Sequence, residues 1–224
     1  MSIDYLSAFI VGVLGAGHCI AMCGGVSGML LSALPKSTQS SAHSPFILAY
    51  NVGRISSYAL IGAIVGYSSS IAAKSIGLPL NIFKFISGLF LILLGLYLGQ
   101  WHMLLNRIEA IGKRLWKFIS PLSKRCLPVN STPKALALGA IWGWLPCGLV
   151  YSTLTWSLAS GNPADGALIM ASFGLGTLPA LFTISFGALS IKTLLQNRLL
   201  KKFTAVLLII YGIYTVFIAY KTMI

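Results

Sequence analysis

The sequence predicts an all-α membrane protein with six transmembrane helices, arranged as two inverted three-helix repeats. Three observations lead to this fold class. Of the 224 residues, 57% are hydrophobic and only 8% are charged, which is too apolar for a surface that faces water. Six apolar segments are long enough to cross a hydrocarbon core of about 30 Å, which takes about 20 residues. Short sequence matches also recur, in the same order, in the two halves of the chain.

The six apolar segments are separated by short connections, except between the third and the fourth. The predicted spans are 5–34, 46–72, 80–104, 135–158, 163–189 and 203–220. In the long connection, apolar residues recur at helical spacing among basic ones, which indicates an amphipathic helix in the membrane interface. The predicted organisation is a first three-span repeat at 1–104, a basic interfacial linker at 105–133 and a second repeat at 134–224.

The charge balance predicts the orientation. Lys and Arg number 16 against 3 Asp and Glu, a net charge of +13. In a soluble chain this excess would suggest nucleic acid, but here the basic residues lie in short loops, where they contact anionic membrane lipid and no nucleic acid. Counted from the N-terminus, the first, third and fifth connections between spans carry twelve of these basic residues. The opposite side of the membrane carries three. The odd-numbered connections are therefore predicted to be cytoplasmic, with both termini periplasmic, in a bacterial inner membrane.

The repeat is supported by three matches between the halves. Cys23 follows the Gly-Ala pair at 15–16 by the same distance at which Cys147 follows the Gly-Ala pair at 139–140. The other two matches pair Tyr50 and Gly53 with Phe173 and Gly176, and Leu94–Tyr97 with Tyr211–Tyr214. Copies with an odd number of spans must have opposite topology. Inverted repeats place a shared site near the bilayer midplane, at discontinuous helices.

The first span carries a cluster of soft and polar ligands. His18, Cys19, Met22 and Cys23 occupy positions i, i+1, i+4 and i+5, which places them within an arc of about 140° on a helix. They can face one cavity. A polar ring at mid-membrane requires a cavity or a hydrogen-bond partner, whereas a buried cysteine or methionine can also be simple packing. Cys126, in the linker, is interpreted as a bystander.

Helix-breaking residues stand beside the cysteine of each half. Gly24 and Gly25 follow Cys23, and Cys147 lies between Pro146 and Gly148. Glycine tolerates unusual φ values and proline removes an amide donor. Unpaired backbone at membrane depth is tolerated only where protein or a water-filled cavity surrounds it, so each cysteine is predicted to lie at a break in its helix.

Two features of the second and fifth spans could support such a site. Asn51 and Arg54 are polar residues inside the second span. Arg54 either extends its side chain to the interface or provides a counter-charge for a thiolate or a bound anion. Pro179 is predicted to kink the fifth span, as a gating helix requires.

These residues resemble a known group. A cysteine followed by glycines in span one, a Pro-Cys in span four and duplicated three-span halves are similar to the DsbD/CcdA superfamily of membrane thiol-disulfide carriers. The His18–Gly25 stretch with Asn51, Gly53, Arg54 and Tyr58 resembles its subgroup labelled sulfite exporter TauE/SafE-like or UreH-like. The resemblance implies that Cys23 and Cys147 form a reversible disulfide. This pair would pass reducing equivalents from a cytoplasmic thioredoxin-like reductant to a periplasmic thiol acceptor, in cytochrome or oxidase biogenesis, without a cofactor.

A second chemistry competes with thiol exchange. Thiolate, thioether and imidazole together form a soft site that selects Cu(I), and in that reading His18, Cys19, Met22, Cys23 and Cys147 are ligands of a transported metal ion. The redox reading makes the chain an oxidoreductase-like carrier, and the metal reading makes it a transporter that delivers to a periplasmic metal acceptor. Export of a sulfite-type anion is a third alternative.

Overall fold

The computed structural model describes residues 2–15, 44–76, 80–101, 121, 123, 126, 129–145, 147–185 and 198–222. Within these ranges the regular structure is helical, with no strand. The described helices are α1 (Ser2–Leu14), α2 (Ser44–Ile76), α3 (Leu80–Leu98), α4 (Thr132–Trp142), α5 (Gly148–Ser160), α6 (Pro163–Ser185) and α7 (Arg198–Lys221).

Three of the described helices are long and apolar enough to cross a membrane. They contain the segments Pro45–Ser75, Pro163–Phe182 and Lys202–Lys221. Tyr5–Leu14 and Ile82–Leu98 are apolar but shorter. The all-helical membrane class is therefore confirmed, while six complete spans in two inverted repeats stay a prediction. The segment predicted as one span at 135–158, with a break beside Cys147, is divided between α4 and α5.

The outer faces of the long helices are apolar, as lipid contact requires. On α2 the exposed residues Leu48, Val52, Leu60, Ile64 and Tyr67 recur at spacings of about one or two turns. The residues buried on the same helix include the polar ones described below. In a water-soluble protein the exposed face of a helix is polar and the buried face is apolar. Here the arrangement is reversed, because hydrocarbon favours an apolar surface and a polar group finds hydrogen-bond partners inside the bundle.

Glycine allows the helices to pack with their backbones in contact. A Cβ atom built on Gly12 of α1 would overlap the carbonyl oxygen of Phe173 on α6, and one built on Gly139 of α4 would overlap that of Tyr50 on α2. The other main contacts join α2 to α6, α3 to α7, and α5 to α2, α3 and α6. Small residues at such crossings let backbones approach closely, which drives helix association where lipid is as apolar as leucine.

Two buried clusters lie between these helices. The larger one includes Val11, Tyr58, Leu94, Cys147 and Phe173, and so joins the central helix α2 to α1, α3, α5 and α6. The smaller one surrounds Ile47 and Tyr50 at the start of α2 and packs against α4 and the end of the linker. Because Cys147 belongs to the larger cluster, the interior of the bundle positions it.

A tight turn reverses the chain between α5 and α6. Gly161 follows α5 with φ 63° and ψ 15°, in the left-handed region, where glycine has no steric penalty. The backbone N–H of Ala164 then donates to Asn162 Oδ1 at 2.9 Å and satisfies one of the first amides of α6. The turn holds α5 against α6.

Candidate functional site

The candidate site is a break between two short helices. α4 ends at Trp142, and the backbone N–H of Leu145 donates back to the carbonyl of Trp142 at 3.0 Å. α5 begins at Gly148. The break coincides with the position of Pro146 in the sequence, and Pro146 itself lies outside the described residues. A proline cannot donate to a preceding carbonyl and restricts the residue before it to extended conformations, so it ends a helix here.

Cys147 occupies the N-cap position of α5. Its backbone is extended, with φ −124° and ψ 154°, and its carbonyl accepts the N–H of Tyr151 at 3.1 Å. The residue is 7% exposed. The first amides of a helix are directed at such a position and carry partial positive charge, an environment that stabilises a cysteine thiolate. The sulfur therefore lies inside the bundle, at the positive end of a helix.

α2 packs against the break through Ser57. The Ser57 hydroxyl donates to the carbonyl of Ala140 at 2.8 Å, which is one of the last carbonyls of α4 and needs a partner outside the helix. A Cβ atom on Gly143 would lie 2.6 Å from Cβ of Ser57 and 3.1 Å from the carbonyl oxygen of Arg54. Glycine at 143 thus permits α2 to contact the backbone of the break.

Arg54 is completely enclosed by protein. Its side chain is 1% exposed, Nη2 donates to Thr177 Oγ1 of α6 at 2.6 Å, and the guanidinium carbon lies 5.6 Å from the centre of the Tyr58 ring. The Thr177 hydroxyl in turn donates to the carbonyl of Gly174 at 2.7 Å. An extension of Arg54 to the membrane interface, the simpler of the two sequence interpretations, is therefore wrong. The guanidinium points into the bundle, between α2 and α6.

Asn51 lies one turn before Arg54 and is 3% exposed. Its Nδ2 donates to the carbonyl of Ile47 at 2.8 Å. Its Oδ1 is buried and has no hydrogen-bond partner in the part of the chain that the structure describes. A buried amide oxygen is costly without a donor, so this oxygen is available to a polar group that enters the bundle.

Several predicted site residues cannot be placed. His18, Cys19, Met22, Cys23, Gly24 and Gly25 lie outside the described residues, as does Pro146. Their meeting with Cys147 stays a prediction. Pro179 lies inside α6, which the structure assigns as one helix from Pro163 to Ser185. Cys126 is half-buried against the smaller cluster.

Sequence reasoning missed the residues that hold Arg54 and the break in place. Ser57 and Thr177 are common residue types in membrane helices and have no motif of their own, whereas Tyr58 is part of the stretch that carries the resemblance. One signal was available for Ser57, which follows Arg54 by three positions and so lies on the same helix face. Thr177 is adjacent to Gly176, and only the crossing of α2 with α6 brings it to Arg54.

A separate cavity of about 260 Å³ lies at the other end of α5, away from the cysteine. Trp156, Tyr211 and Asp165 are among its lining residues, together with Tyr5 and Lys84. The Tyr5 hydroxyl donates to Asp165 Oδ1 at 2.5 Å, and the Trp156 and Tyr211 rings meet edge to face at 5.8 Å. This cavity is distinct from the thiol site.

The described ranges contain no candidate metal site apart from the predicted ligand Cys147. They hold no group of three or more His, Cys, Asp or Glu residues that could bind a metal ion. The predicted soft ligands of the first span are outside those ranges. Of the predicted copper ligands, the structure therefore describes Cys147 alone, which by itself is one ligand and not a metal site.

Comparison with known proteins agrees with a membrane protein built from helices. The family model described as cytochrome c biogenesis protein transmembrane region matches residues 7–214. Searches of the curated proteins and of the solved structures find no significant match. The family match covers nearly the whole chain, including all seven helices at least in part. The resemblance to DsbD/CcdA-like carriers is thus confirmed at the level of the family, and the chain belongs to the cytochrome c biogenesis transmembrane region family.

Proposed function

We propose that this protein carries reducing equivalents across the bacterial inner membrane by thiol-disulfide exchange. The redox centre is Cys147 together with a cysteine of the first apolar segment, which the sequence repeat predicts to be Cys23. The observation that carries the proposal is the position of Cys147: it is buried, at the N-terminus of a helix, and directly after a break inside an apolar segment. The family match supports a membrane role in cytochrome biogenesis.

The exchange is balanced in electrons and protons. A thiolate of a cytoplasmic thioredoxin-like dithiol attacks one sulfur of the intramembrane disulfide and forms a mixed disulfide. The second donor thiol displaces the carrier, so the donor leaves as a disulfide and the carrier holds two thiols. Two electrons and two protons have moved. At the periplasmic side the two carrier thiols reduce an acceptor disulfide by the same steps in reverse, and the carrier disulfide forms again.

The surroundings of Cys147 fit the requirements of this chemistry. The thiolate is the attacking species, and the positive end of α5 favours it. α2 contacts the break at Gly143 through Ser57 and the carbonyl oxygen of Arg54, while the Arg54 guanidinium is directed to Thr177 of α6.

The test is the redox state of the thiols in intact membranes, measured by mass-tag alkylation. We expect Cys147 to be oxidised in isolated membranes and to become reduced when a thioredoxin system is added. Cys147→Ser should abolish the thioredoxin-dependent change in alkylation and also the maturation of c-type cytochromes. Cys126→Ser is the matched control, since Cys126 lies in the linker, and it should leave both unchanged. A Cys147 that stays reduced under oxidising conditions would contradict the proposal.

The same experiment tests the Cu(I) hypothesis, which rests on His18, Cys19, Met22 and Cys23 in the sequence. Soft ligands bound to Cu(I) are protected from alkylation, and a copper chelator exposes them. If copper chelation, and not thioredoxin, changes the alkylation of Cys147, the protein is a Cu(I) transporter. Export of a sulfite-type anion would require neither cysteine and would survive Cys147→Ser.

A further inference from the structure

One end of the helical bundle contains a polar cavity that the proposed thiol exchange does not use. Its volume is about 260 Å³. Tyr5 and Asp165 line it from the first turns of α1 and α6, Lys84 lines it from the second turn of α3, and Trp156 lines it near the end of α5. The ends of four helices therefore meet here. Tyrosine and tryptophan are enriched where membrane proteins meet the interface, which places the cavity at the level of the lipid headgroups.

Two charges of opposite sign line this cavity. Lys84 is exposed and Asp165 is half-buried. The Tyr5 hydroxyl donates to Asp165 Oδ1 at 2.5 Å. A carboxylate has about four acceptor sites, so this hydrogen bond leaves Asp165 able to accept from an ammonium group as well. The cavity thus offers an anion for a cationic group and a cation for an anionic group.

Aromatic rings form much of the cavity wall. The Trp156 and Tyr211 rings meet edge to face at 5.8 Å, and the Tyr211 and Tyr214 rings lie 6.3 Å apart. The face of an aromatic ring attracts an ammonium group, more strongly where water is excluded. Rings and a carboxylate in one cavity therefore favour an ammonium group as part of the ligand.

An apolar groove of about 200 Å³ adjoins the polar cavity at Tyr211, which lines both. The Tyr211 hydroxyl donates to Ser7 Oγ at 2.9 Å. Beyond this hydrogen bond the groove is lined by apolar side chains of α1 and α7, namely Ile10, Val11, Leu14, Leu207 and Leu208. From Ser7 to Leu14 it follows α1 for about 10 Å, away from the end of the bundle that holds Tyr5.

The groove opens toward lipid, because α1 and α7 pack mainly on other helices. α1 packs on α6, and α7 packs on α3. Ile10 and Leu207 line the groove and are 45% and 38% exposed. A hydrocarbon chain can therefore enter from the side, while the polar group to which it is attached remains in the cavity. The occupant that fits both parts is amphipathic.

The geometry points to a binding site for one zwitterionic aminophospholipid of the phosphatidylethanolamine type. Its ammonium group lies against Asp165 and the aromatic rings, its phosphate against Lys84, and one acyl chain in the groove between α1 and α7. The cavity is smaller than the range of about 300–1,000 Å³ for drug-sized ligands, which suits a small headgroup. This lipid site is independent of the thiol exchange at Cys147.

The charges distinguish this lipid from other amphipathic ligands. An anionic headgroup would leave Asp165 without a cationic partner. A choline headgroup carries no N–H to donate to the carboxylate, whereas a primary ammonium group has three donors. A prenylated quinone could occupy the groove, but it has no charge for Lys84 or Asp165. Only the ethanolamine headgroup provides a phosphate and a hydrogen-bonding cation together.

The test is binding of defined lipids to the purified, delipidated chain in detergent, measured by native mass spectrometry. Dioleoyl phosphatidylethanolamine should bind as a single copy. Its affinity should exceed that of the phosphatidylglycerol and phosphatidylcholine with the same chains by about tenfold, the factor for one hydrogen bond to a charged group. Equal affinities for the three lipids, or many copies bound without preference, would overturn the proposal.

Matched variants test the two charges separately. Asp165→Asn and Lys84→Gln should each weaken phosphatidylethanolamine binding by about tenfold, and asparagine at 165 keeps an acceptor for the Tyr5 hydroxyl. Lys202→Gln is the control, since Lys202 is an exposed lysine near the opposite end of α7. Affinities that equal the control in both cavity variants would contradict the assignment. If a variant does not accumulate in the membrane, the lipid ranking of the unmodified chain decides.

Competition identifies the source of the headgroup. Soluble phosphoethanolamine should not displace the bound lipid at an equal concentration, because it lacks the chain that fills the groove. Displacement would show that the ligand is a water-soluble amine phosphate and would refute the lipid site. Displacement by an equal concentration of a prenylated quinone would refute it too, since the two charges would then have no part in recognition.

Discussion

At Arg54 a permanently charged side chain is held inside a membrane segment. Its guanidinium meets a hydroxyl of α6 and the face of an aromatic ring of α2. A guanidinium is more weakly hydrated than an ammonium group and combines hydrogen bonding with aromatic contact. These properties explain why arginine, and not lysine, occupies a position that is 1% exposed.

Thr177→Val should destabilise the protein by about 1.5–3 kcal/mol, since it removes an acceptor from a buried charged donor without changing side-chain size. The measurement is thermal unfolding of the purified protein in detergent. Thr215→Val is the control. The Thr215 hydroxyl donates to the carbonyl of Tyr211 within its own helix at 2.9 Å, and its loss should have a much smaller effect. Equal unfolding temperatures for the two variants would show that Arg54 does not depend on Thr177.

Gly139→Ala should destabilise the bundle by about 1–3 kcal/mol, the range for overpacking, because the added methyl group would overlap the backbone carbonyl of Tyr50. Neither backbone can move without separating α4 from α2. Gly174→Ala is the matched control: its methyl group would lie 3.0 Å from Cγ1 of Ile55, which belongs to a side chain. Helix propensity favours alanine at both positions, so similar stability of the two variants would refute the close crossing.

At the scale of the helices, α2 is the central element of the site. It contacts α4, α5 and α6, carries Asn51 and Arg54, and supplies the hydroxyl that satisfies the end of α4. The break before Cys147 is therefore stabilised from outside its own segment. Without Ser57, the carbonyl of Ala140 would lose its donor at membrane depth, whereas the carbonyls of Gly139, Ile141 and Trp142 accept backbone amides of the break.

Ser57→Ala should lower the free energy of unfolding by about 1–3 kcal/mol, because the carbonyl of Ala140 loses its donor in a buried position. It should also increase the alkylation rate of Cys147, since the break is then less firmly held. Ser68→Ala on the same helix is the control: Ser68 is exposed and donates to the carbonyl of Ile64. We expect that variant to unfold within about 0.5 kcal/mol of the parent chain.

Gly161→Ala should cost about 1–2 kcal/mol, because a Cβ atom is unfavourable in the left-handed region that the turn between α5 and α6 adopts. Gly161→Asn should cost less, since asparagine tolerates this conformation better than alanine. The two variants are compared by thermal unfolding. A larger loss with asparagine would argue against the turn geometry.

At the scale of the whole molecule, the distribution of basic residues predicts the orientation in the membrane. Single cysteines introduced by Lys84→Cys and Lys202→Cys, in a chain whose native cysteines are replaced by serine, provide a direct test. Both lysines are exposed. A membrane-impermeant maleimide added to intact cells should label position 84 and leave position 202 unlabelled until the cells are opened. Labelling of position 202 in intact cells would reverse the predicted topology.

The whole bundle is held together by crossings that depend on small residues. Gly12 and Gly176 join α1 to α6, Gly53 and Gly139 join α2 to α4, and Gly95 and Gly212 join α3 to α7. Packing and shape complementarity, and not the hydrophobic effect between helices, stabilise such contacts in lipid. The family match, which extends over residues 7–214, includes all of these crossings.

The sequence by itself determined the membrane class, the helical content and the cysteine to examine. Hydropathy predicts them because hydrocarbon requires long apolar helices with internally satisfied backbones. The Pro-Cys-Gly sequence at 146–148 also indicated where a helix would end. These features depend on residues close together in the chain, whose effect on the backbone is local.

Only the tertiary structure decided where Arg54 points and which residues support the break. Thr177 lies 123 positions from Arg54 and Ala140 lies 83 positions from Ser57, and no local pattern encodes such contacts. The helix crossings at Gly12, Gly53, Gly139 and Gly176 were also beyond the sequence, because glycine is frequent in membrane helices and its position alone does not say which backbone it meets.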